Sequence, residues 1–464
     1  MCGITGFWGE IAQTPDSRAR LKRMTMSLEH RGPDEQDYWL GSDAGLGMTR
    51  LAIIDLNGGK QPMWDAQAKT VIVFNGEIYN YRELKRELEA KGFVFRTRSD
   101  TEVIAAAIEA WGIEAGLLRL RGMFAFALYN TQNHRLLLAR DRVGIKPLYF
   151  ARMSRGLIFA SEQKALLASR RVNPVAIHDY LAKGYPITPD TCWADIQMLE
   201  PGTWLEVGPG GTRKGRYYKW RPNEKPALDL EMAVEKTRQT LSDALRCHLI
   251  SDVPLAAFLS GGLDSSLCVA LLSQGLKPGI YTFSMGFGDP DFDESQVARQ
   301  VAEHCGTDHH EARMEGSQGD PNLFRRILEQ YDEPFGDSSC IPTFLICGEI
   351  RKQVKVALSG DGGDEVLGGY PRYLYARWLT ALSHLQKVGL LLSPLFHFLE
   401  KQMGTRGRQA AKAWRLAQLP HQEMLGSLNM YFSEDERLAL YWPDFAQLAL
   451  SMGPTVSRYA RFIS

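Results

Sequence analysis

Three short apolar runs, Val253 to Leu259, Ile280 to Met285 and Val354 to Leu358, each give way to a glycine-containing loop, and helical patterns near 294–304 and 343–353 lie between them. Strands buried on both faces read as unbroken apolar runs, and parallel strands need helical crossovers between them. The part from residue 228 onward is therefore expected to be a doubly wound α/β domain, whose ligands belong beyond the carboxyl ends of its strands. Upstream the pattern differs. From Ile4 to about Glu162, β-type runs at Val71 to Phe74, Met123 to Tyr129, Arg135 to Ala139 and Leu157 to Ala160 accompany helical patterns near 17–29 and 81–91. Closely spaced turn signals between them predict antiparallel sheets with helices packed outside.

A chain of 464 residues exceeds what one hydrophobic core usually supports, so two domains are expected. The glycine-rich turn Gly208 to Gly215 and the polar stretch Arg221 to Pro226 place the boundary near 205–228, giving domains at 2–205 and 228–464. Residues 370–464 are helical in pattern and carry no chemical motif. Val388 to Leu399 is short and interrupted by Pro394, which suits a core helix and not a membrane span. Lys plus Arg equals Asp plus Glu at 54 each, so no global field draws nucleic acid or an anionic membrane. Seven dispersed cysteines, at 2, 192, 247, 268, 305, 340 and 347, predict reduced thiols in a cytoplasmic protein, and no secretory pattern precedes Cys2. Cys340 and Cys347 are expected at buried apolar positions.

Removal of Met1 would leave Cys2 with a thiol and an α-amine on one residue. An α-amine titrates near neutrality and can take the thiol proton, which makes a self-contained nucleophile and base. Four clusters follow: His30 to Asp34, Arg50 to Asp55, Phe74 to Asn80, and Ser99 to Glu102. Singly they read as ordinary local structure: Gly32-Pro33-Asp34 as a turn, Asn75-Gly76 as a hairpin, Ser99-Asp100 as a helix N-cap. Together they also supply what a thiolate attacking a carboxamide requires. Asn75 and the Gly76 N–H would be oxyanion donors, Arg50 a grip for a substrate carboxylate and Asp100 one for its ammonium.

In the second half, Ser260-Gly261-Gly262-Leu263-Asp264-Ser265-Ser266 follows an apolar run and opens a helical pattern. Such a loop is an anion cradle of backbone N–H groups and hydroxyls. It lacks the Gly-Lys-Ser/Thr of a Walker loop, and Asp264 would repel phosphate unless Mg²⁺ sits between them, so a metal-bound pyrophosphate is the consistent ligand. A second loop, Ser359 to Glu365, carries three carboxylates among three glycines, which invites Mg²⁺ or a general base. His304-Cys305 and His309-His310 have zinc-type ligands but no paired cysteine framework, and a helix end with a strand beginning accounts for them.

The motifs Met-Cys-Gly-Ile, Arg-Gly-Pro-Asp, Asn-Gly-Glu-Ile-Tyr-Asn and Ser-Asp-Thr-Glu resemble a class II glutamine amidotransferase domain of the N-terminal nucleophile hydrolase type. With both glycine loops and Asp332 to Ser339, the whole chain resembles the glutamine-hydrolysing asparagine synthetases. The resemblance implies an α+β four-layer sandwich followed by a doubly wound α/β ATP-pyrophosphatase domain. It implies Cys2 as nucleophile, Asn75 and Gly76 as oxyanion hole, and Arg50, Leu51, Ala52, Ile53, Ile54, Asn75, Gly76, Glu77 and Asp100 around glutamine. ATP would lie along Phe258, Ser260, Gly261, Gly262, Leu263, Asp264, Ser265, Ser266, Met285, Ser359 and Gly360. Asp264 and Asp364 would hold magnesium, and Asp361 would assist attack of ammonia on the β-aspartyl-adenylate. The implied enzyme is a cytoplasmic ligase of asparagine biosynthesis, with a homodimer as an admissible assembly.

Many members of that family carry glutamate where this chain has Asp361. One methylene displaces a positioned carboxylate by about a bond length, so aspartate and another carboxylate both stand as acceptors. The family also continues into a Tyr-Leu-Pro-Asp segment with a lysine, beyond residue 464 here. The 464-residue form is accordingly expected to bind ATP and to make product slowly or not at all. A homologue with only glutaminase or nucleotide-binding activity is the alternative.

Overall fold

The computed structural model describes residues 1–166, 171–221, 228–289, 291, 293–314, 320–384, 396, 398 and 404–460. Most of the Val388 to Leu399 stretch, and Pro222 to Pro226, lie outside them. By contacts the chain forms two compact units, one of residues 1–172, 188–333 and 339–359, the other of 173–187, 334–338 and 360–464.

The first unit begins with twelve strands: β1 (Gly3–Gly9), β2 (Glu35–Leu40), β3 (Ala44–Arg50), β4 (Met63–Trp64), β5 (Thr70–Ile78), β6 (Gly122–Asn130), β7 (Arg135–Arg140), β8 (Tyr149–Met153), β9 (Gly156–Ala160), β10 (Gln197–Met198), β11 (Thr203–Gly208) and β12 (Gly211–Arg216). They form two six-stranded antiparallel sheets, in the orders β10-β8-β9-β1-β3-β2 and β12-β11-β7-β6-β5-β4. Side chains alternate between faces along a strand, and the central strands here are buried on both. Ile4, Leu46 and Met48 of the first sheet meet Val71, Val73, Ala125, Ala127, Leu136 and Leu138 of the second. On the outer face of the second sheet, Ile72, Phe74, Phe124 and Phe126 pack against helices Tyr81–Glu89 and Asp100–Trp111. Phe7, Ile158 and Ala160 cover helix Ser17–Met26 on the outer face of the first. The result is the expected helix-sheet-sheet-helix sandwich. The hairpin of β11 and β12 extends its second sheet to Arg216.

The same unit holds an all-parallel sheet ordered β15-β14-β13-β16, with β13 (Leu255–Phe258), β14 (Tyr281–Phe287), β15 (Asp308–Met314) and β16 (Val356–Leu358). Leu245, Val269, Leu272, Ala298 and Ala302 fill one face and Ile346, Ile350 and Val354 the other, so the sheet is doubly wound as expected. The chain leaves β13 to β14 on one side and later returns to β16 on the other. That reversal creates a crevice at the carboxyl ends of β13 and β16.

The second unit is helical: Pro174–Lys183, Pro371–Ser383, Gly404–Ala417, His421–Ser427, Glu434–Leu440, Pro443–Met452 and Thr455–Ala460, among others. Arg437, fully buried, donates to the His178 carbonyl at 2.7 Å and to Thr455 Oγ1 at 2.9 Å, and pairs with Glu434.

Candidate active site

Strand periodicity assembles the first site. Continuing the inward alternation of Ile4, Met48 and Val73 by one step reaches Cys2, Arg50 and Asn75, and by a further step along β5 Glu77. The inner faces of both sheets thus deliver these four side chains to one end of the interlayer space. There they line a pocket of about 750 Å³ with Asp100, Gly76, Leu51, Ile53 and Ile54. Ala52 is not part of the lining; its N–H goes to Asp34 at 2.9 Å.

Asn75 and Gly76 do not form the hairpin turn that their sequence suggests. They lie inside β5, opposite Ala125 and Phe124. A Cβ on Gly76 would fall 2.0 Å from the Met123 carbonyl oxygen, so close strand approach demands the glycine. Asn75 is buried, and its Nδ2 has no hydrogen-bond partner among the described residues. An unpaired buried amide donor costs about 1–3 kcal/mol. A site that binds an oxyanion gives that cost a purpose.

Cys2 Sγ donates to the Leu51 carbonyl at 3.7 Å, and the Arg31 Nε–H holds the Cys2 carbonyl at 2.9 Å. Burial pushes the thiol up, while the N-terminal amine, Arg50 and Arg31 oppose it. Burial lowers the Met1 amine to about 6, with Arg31 and Lys146 acting in the same direction. Such an amine is largely neutral at pH 7 and can accept a proton. Glu77 is raised to about 7 by burial and by Asp100, and Asp100 is raised to about 6 by burial against hydrogen bonds from Ile78 and Thr101. Ser99 caps the helix as its sequence suggested, accepting from Thr101 N at 3.2 Å, and that cap sets Asp100 at the pocket.

Arg50 lines the pocket with four bonds already made: to Glu35 Oε2 at 2.9 Å and to the carbonyls of Ile54, Asp55 and Leu56 at 3.1, 2.8 and 3.1 Å. It braces the 51–56 loop as well as bringing charge to the site. Sequence reasoning assigned no role to Arg31, Glu162, Lys146 or Lys355. Glu162, held at about 2 against burial by His30 and Arg31, anchors the arginine that holds Cys2. Lys355, just before β16, pairs with Asp34 at 2.7 Å. The pocket continues past that ion pair to Phe258, Val356 and Ala357, so one cavity joins the thiol to β13 and β16 of the parallel sheet.

At the carboxyl end of β13, Ser260 Oγ lies 3.0 Å from Ser265 Oγ and accepts from Gly262 N at 3.2 Å, closing a tight loop over the start of helix Leu263–Leu271. Ser266 Oγ is buried and has no partner among the described residues. Asp264 stands in the first turn of that helix. Ser359 follows β16, beside this loop's strand, and Met285 lies on β14. Gly360, Asp361 and Asp364 belong to the second unit, where Asp364 opens helix Gly363–Leu367 and Asp361 is exposed.

The histidine cluster falls at a helix end and on the strand that follows it. His304 and Cys305 end helix Ser295–Cys305, and the His309 ring bonds Thr282 Oγ1 at 3.0 Å and Ser284 Oγ at 3.2 Å. Among the described residues no group of three or more His, Cys, Asp or Glu is placed to hold a metal, and no helix is long and apolar enough to cross a membrane. All seven cysteines are free. Cys347 corrects an expectation: it is exposed and lines the pocket, because helix Cys340–Ile350 turns Ile346 and Ile350 to the sheet and Cys347 away from it. Cys340 is only partly buried.

A profile described as a glutamine amidotransferase domain matches residues 1–218, and one described as asparagine synthase matches residues 236–459. The chain is 38% identical to asparagine synthetase [glutamine-hydrolyzing] 1 of Bacillus subtilis, over 80% of this chain and 59% of that protein. It is 34% identical to asparagine synthetase B of Escherichia coli, over 80% of this chain and 65% of the other. The chain thus spans about three-fifths of the length of the curated relatives it matches first. A putative asparagine synthetase [glutamine-hydrolyzing] 2 of Methanocaldococcus jannaschii is covered more fully, at 34% identity over 83% of this chain and 79% of that one. Two consecutive domain matches and this coverage establish that the chain belongs to the glutamine-hydrolysing asparagine synthetase family.

Proposed function

We propose that the protein transfers the amide nitrogen of glutamine to an ATP-activated carboxylate, with aspartate as acceptor. The observation that carries the proposal is the single cavity lined at one end by Cys2, Asn75, Glu77 and Asp100 and at the other by Phe258, Val356 and Ala357. Two chemistries that share a cavity can share ammonia.

In this reading the α-amine freed on Cys2 takes the thiol proton and the sulfur attacks the glutamine carboxamide carbon. Asn75 Nδ2 and the Gly76 N–H receive the oxyanion, the amine returns the proton to the leaving nitrogen, and ammonia departs from a γ-glutamyl thioester that water then hydrolyses. Glu77 and Asp100 hold the substrate ammonium, and Arg50 attracts its carboxylate. This chemistry is assigned to residues 2–205 with the hairpin that follows, and the nucleotide chemistry to 228–464. The Ser260–Ser266 loop, with its unpartnered Ser266 hydroxyl, suits phosphate oxygens. The nearby Asp264 carboxylate suits a magnesium ion carried by those phosphates, since Mg²⁺ takes few protein ligands and completes its shell with phosphate and water. Asp364 is the corresponding candidate in the second loop, and Asp361 the candidate to assist ammonia attack. Seven free thiols fit a reducing cytoplasm.

The test follows nitrogen from amide-¹⁵N glutamine in the presence of ATP and aspartate. ¹⁵N-asparagine, AMP and pyrophosphate in equal amounts are expected. Glutamate formed with no ATP-dependent label in asparagine would defeat the transfer half. Asp264→Asn is expected to abolish Mg²⁺-dependent pyrophosphate release while glutamine hydrolysis persists.

Acid should weaken glutamine capture. Glu77 and Asp100, raised to about 7 and about 6, are ionised only above those values, and an ammonium binds the ionised forms. The kcat/KM for glutamine is therefore expected to fall as pH drops from 8 to 6, and in Glu77→Gln the component near 7 should disappear. An unchanged profile in that variant would remove Glu77 from the ammonium site.

A further inference from the structure

Lys146 is a buried lysine that the reaction above leaves unused; burial disfavours its charged form, and Glu77, Cys2 and Asp141 favour it. It is 5% exposed and lines the pocket, and its Nζ donates to Met1 Sδ at 3.0 Å. Much buried polar structure exists to aim it. The Asp141 carboxylate accepts the N–H groups of Gly144, Ile145 and Lys146 at 2.7, 3.0 and 3.0 Å. The Arg140 guanidinium donates to the carbonyls of Gly144 and Lys146 at 2.7 and 2.8 Å. A 142–147 loop clamped on both its donor and acceptor sides fixes where the lysine backbone sits.

The other cations near the thiol are already matched by carboxylates: Arg31 by Glu162, Arg50 by Glu35, and Lys355 by Asp34. The hydrogen-bond partner of Lys146 Nζ is a thioether, on the one residue that must leave before Cys2 can act. With Met1 gone, the nitrogen of Cys2 becomes an α-amine in the same pocket that Lys146 lines.

We propose that Lys146 is a positioning residue whose ammonium keeps the Cys2 α-amine unprotonated, so that this amine can take the thiol proton and then release it to the departing ammonia. The inference rests on the glutaminase reading given above. A neighbouring positive charge disfavours the protonated amine in both steps: it leaves the base free before attack and makes the resulting ammonium a better acid afterwards. Arg31 acts on the amine in the same direction as Lys146 and Asp34 acts against both, and each is tied to a counter-ion. Arg31 is paired with Glu162 and Asp34 with Lys355, and Arg50 is tied to Glu35. Glu77 opposes Lys146 in the empty pocket, and a bound substrate ammonium shared between Glu77 and Asp100 cancels that opposition. Glutamine binding therefore leaves the Lys146 charge acting on the amine.

The experiment uses the chain produced with Cys2 as its first residue, and competitive acetylation of the α-amine against pH, read by peptide mass spectrometry. In Lys146→Met the amine is expected to titrate about one pH unit higher than in the wild type, and the acid limb of kcat at saturating glutamine should move with it. Lys146→Arg should keep both at their wild-type positions. A uniform loss of kcat with no shift in either titration would mean a merely structural lysine and would overturn the inference. If the Met variant fails to fold, Lys146→Gln takes its place in the comparison, and the wild type still supplies a necessary condition. Its amine must titrate below the ordinary α-amine range of about 7.7–8.0, and an ordinary value contradicts the proposal. A shifted amine in a chain that hydrolyses no glutamine would sink the glutaminase reading while leaving only the coupling of Lys146 to the amine in place.

Discussion

Cys2→Ala is expected to lower glutamine hydrolysis by about a thousandfold or more while leaving ammonia-driven chemistry at the nucleotide loops intact. The sulfur has no substitute in the cleft: among the other cysteines only Cys347 lines the same cavity, and it does so on the parallel-sheet side, away from Asn75 and Gly76. The substitution removes a partly buried thiol whose contact is the Leu51 carbonyl, so folding should survive. Glutaminase activity persisting in the variant, measured as glutamate release, would show that Cys2 is not the nucleophile.

Asn75→Ala is expected to reduce kcat for glutamine hydrolysis by about 10²–10³-fold with little change in KM, because its amide donor is realised only when negative charge develops on the carbonyl oxygen. The unpartnered Nδ2 makes the contrast with Arg50 sharp. Arg50→Ala removes ground-state attraction for a carboxylate and the brace on the 51–56 loop, so its effect should fall mainly on KM. Kinetics of both variants with glutamine decide the matter. Equal and small effects would mean that Asn75 serves only the strand in which it lies.

The two residues also show where sequence carries structure and where it does not. Asn-Gly between apolar runs is a strong hairpin signal, yet β5 runs straight through it, because an antiparallel partner at Met123 and Phe124 comes too close for any side chain at position 76. Local turn propensity lost to long-range pairing. β3 escaped notice for a related reason. Its Ala44-Gly45-Leu46-Gly47 start has little β propensity, but a Cβ at Gly47 would meet Thr25 Oγ1 at 2.1 Å, so the glycine lets helix Ser17–Met26 lie flush on the sheet. β15 is polar along its length; it holds the sheet edge with Arg299–Glu311 pairing and His309 hydrogen bonds that no hydropathy pattern reveals. By contrast β5, β6, β7, β13 and β14 announce themselves as apolar runs, and Cys2, Asn75, Glu77 and Asp100 line one pocket. What stayed hidden is the support. Arg31 and Glu162 are 131 residues apart, and Asp34 and Lys355 are 321 apart. Pairings at that range follow from the folded sheets and have no signature in a local window.

The most direct measurement is acid quenching of the processed chain during turnover with glutamine, followed by mass spectrometry of its N-terminal peptide. A γ-glutamyl thioester on Cys2 is predicted, present in wild type, lost in Cys2→Ala and formed more slowly in Asn75→Ala. Steady glutamate release with no adduct at any time, or an adduct on another cysteine, would contradict the assignment of Cys2 as the nucleophile.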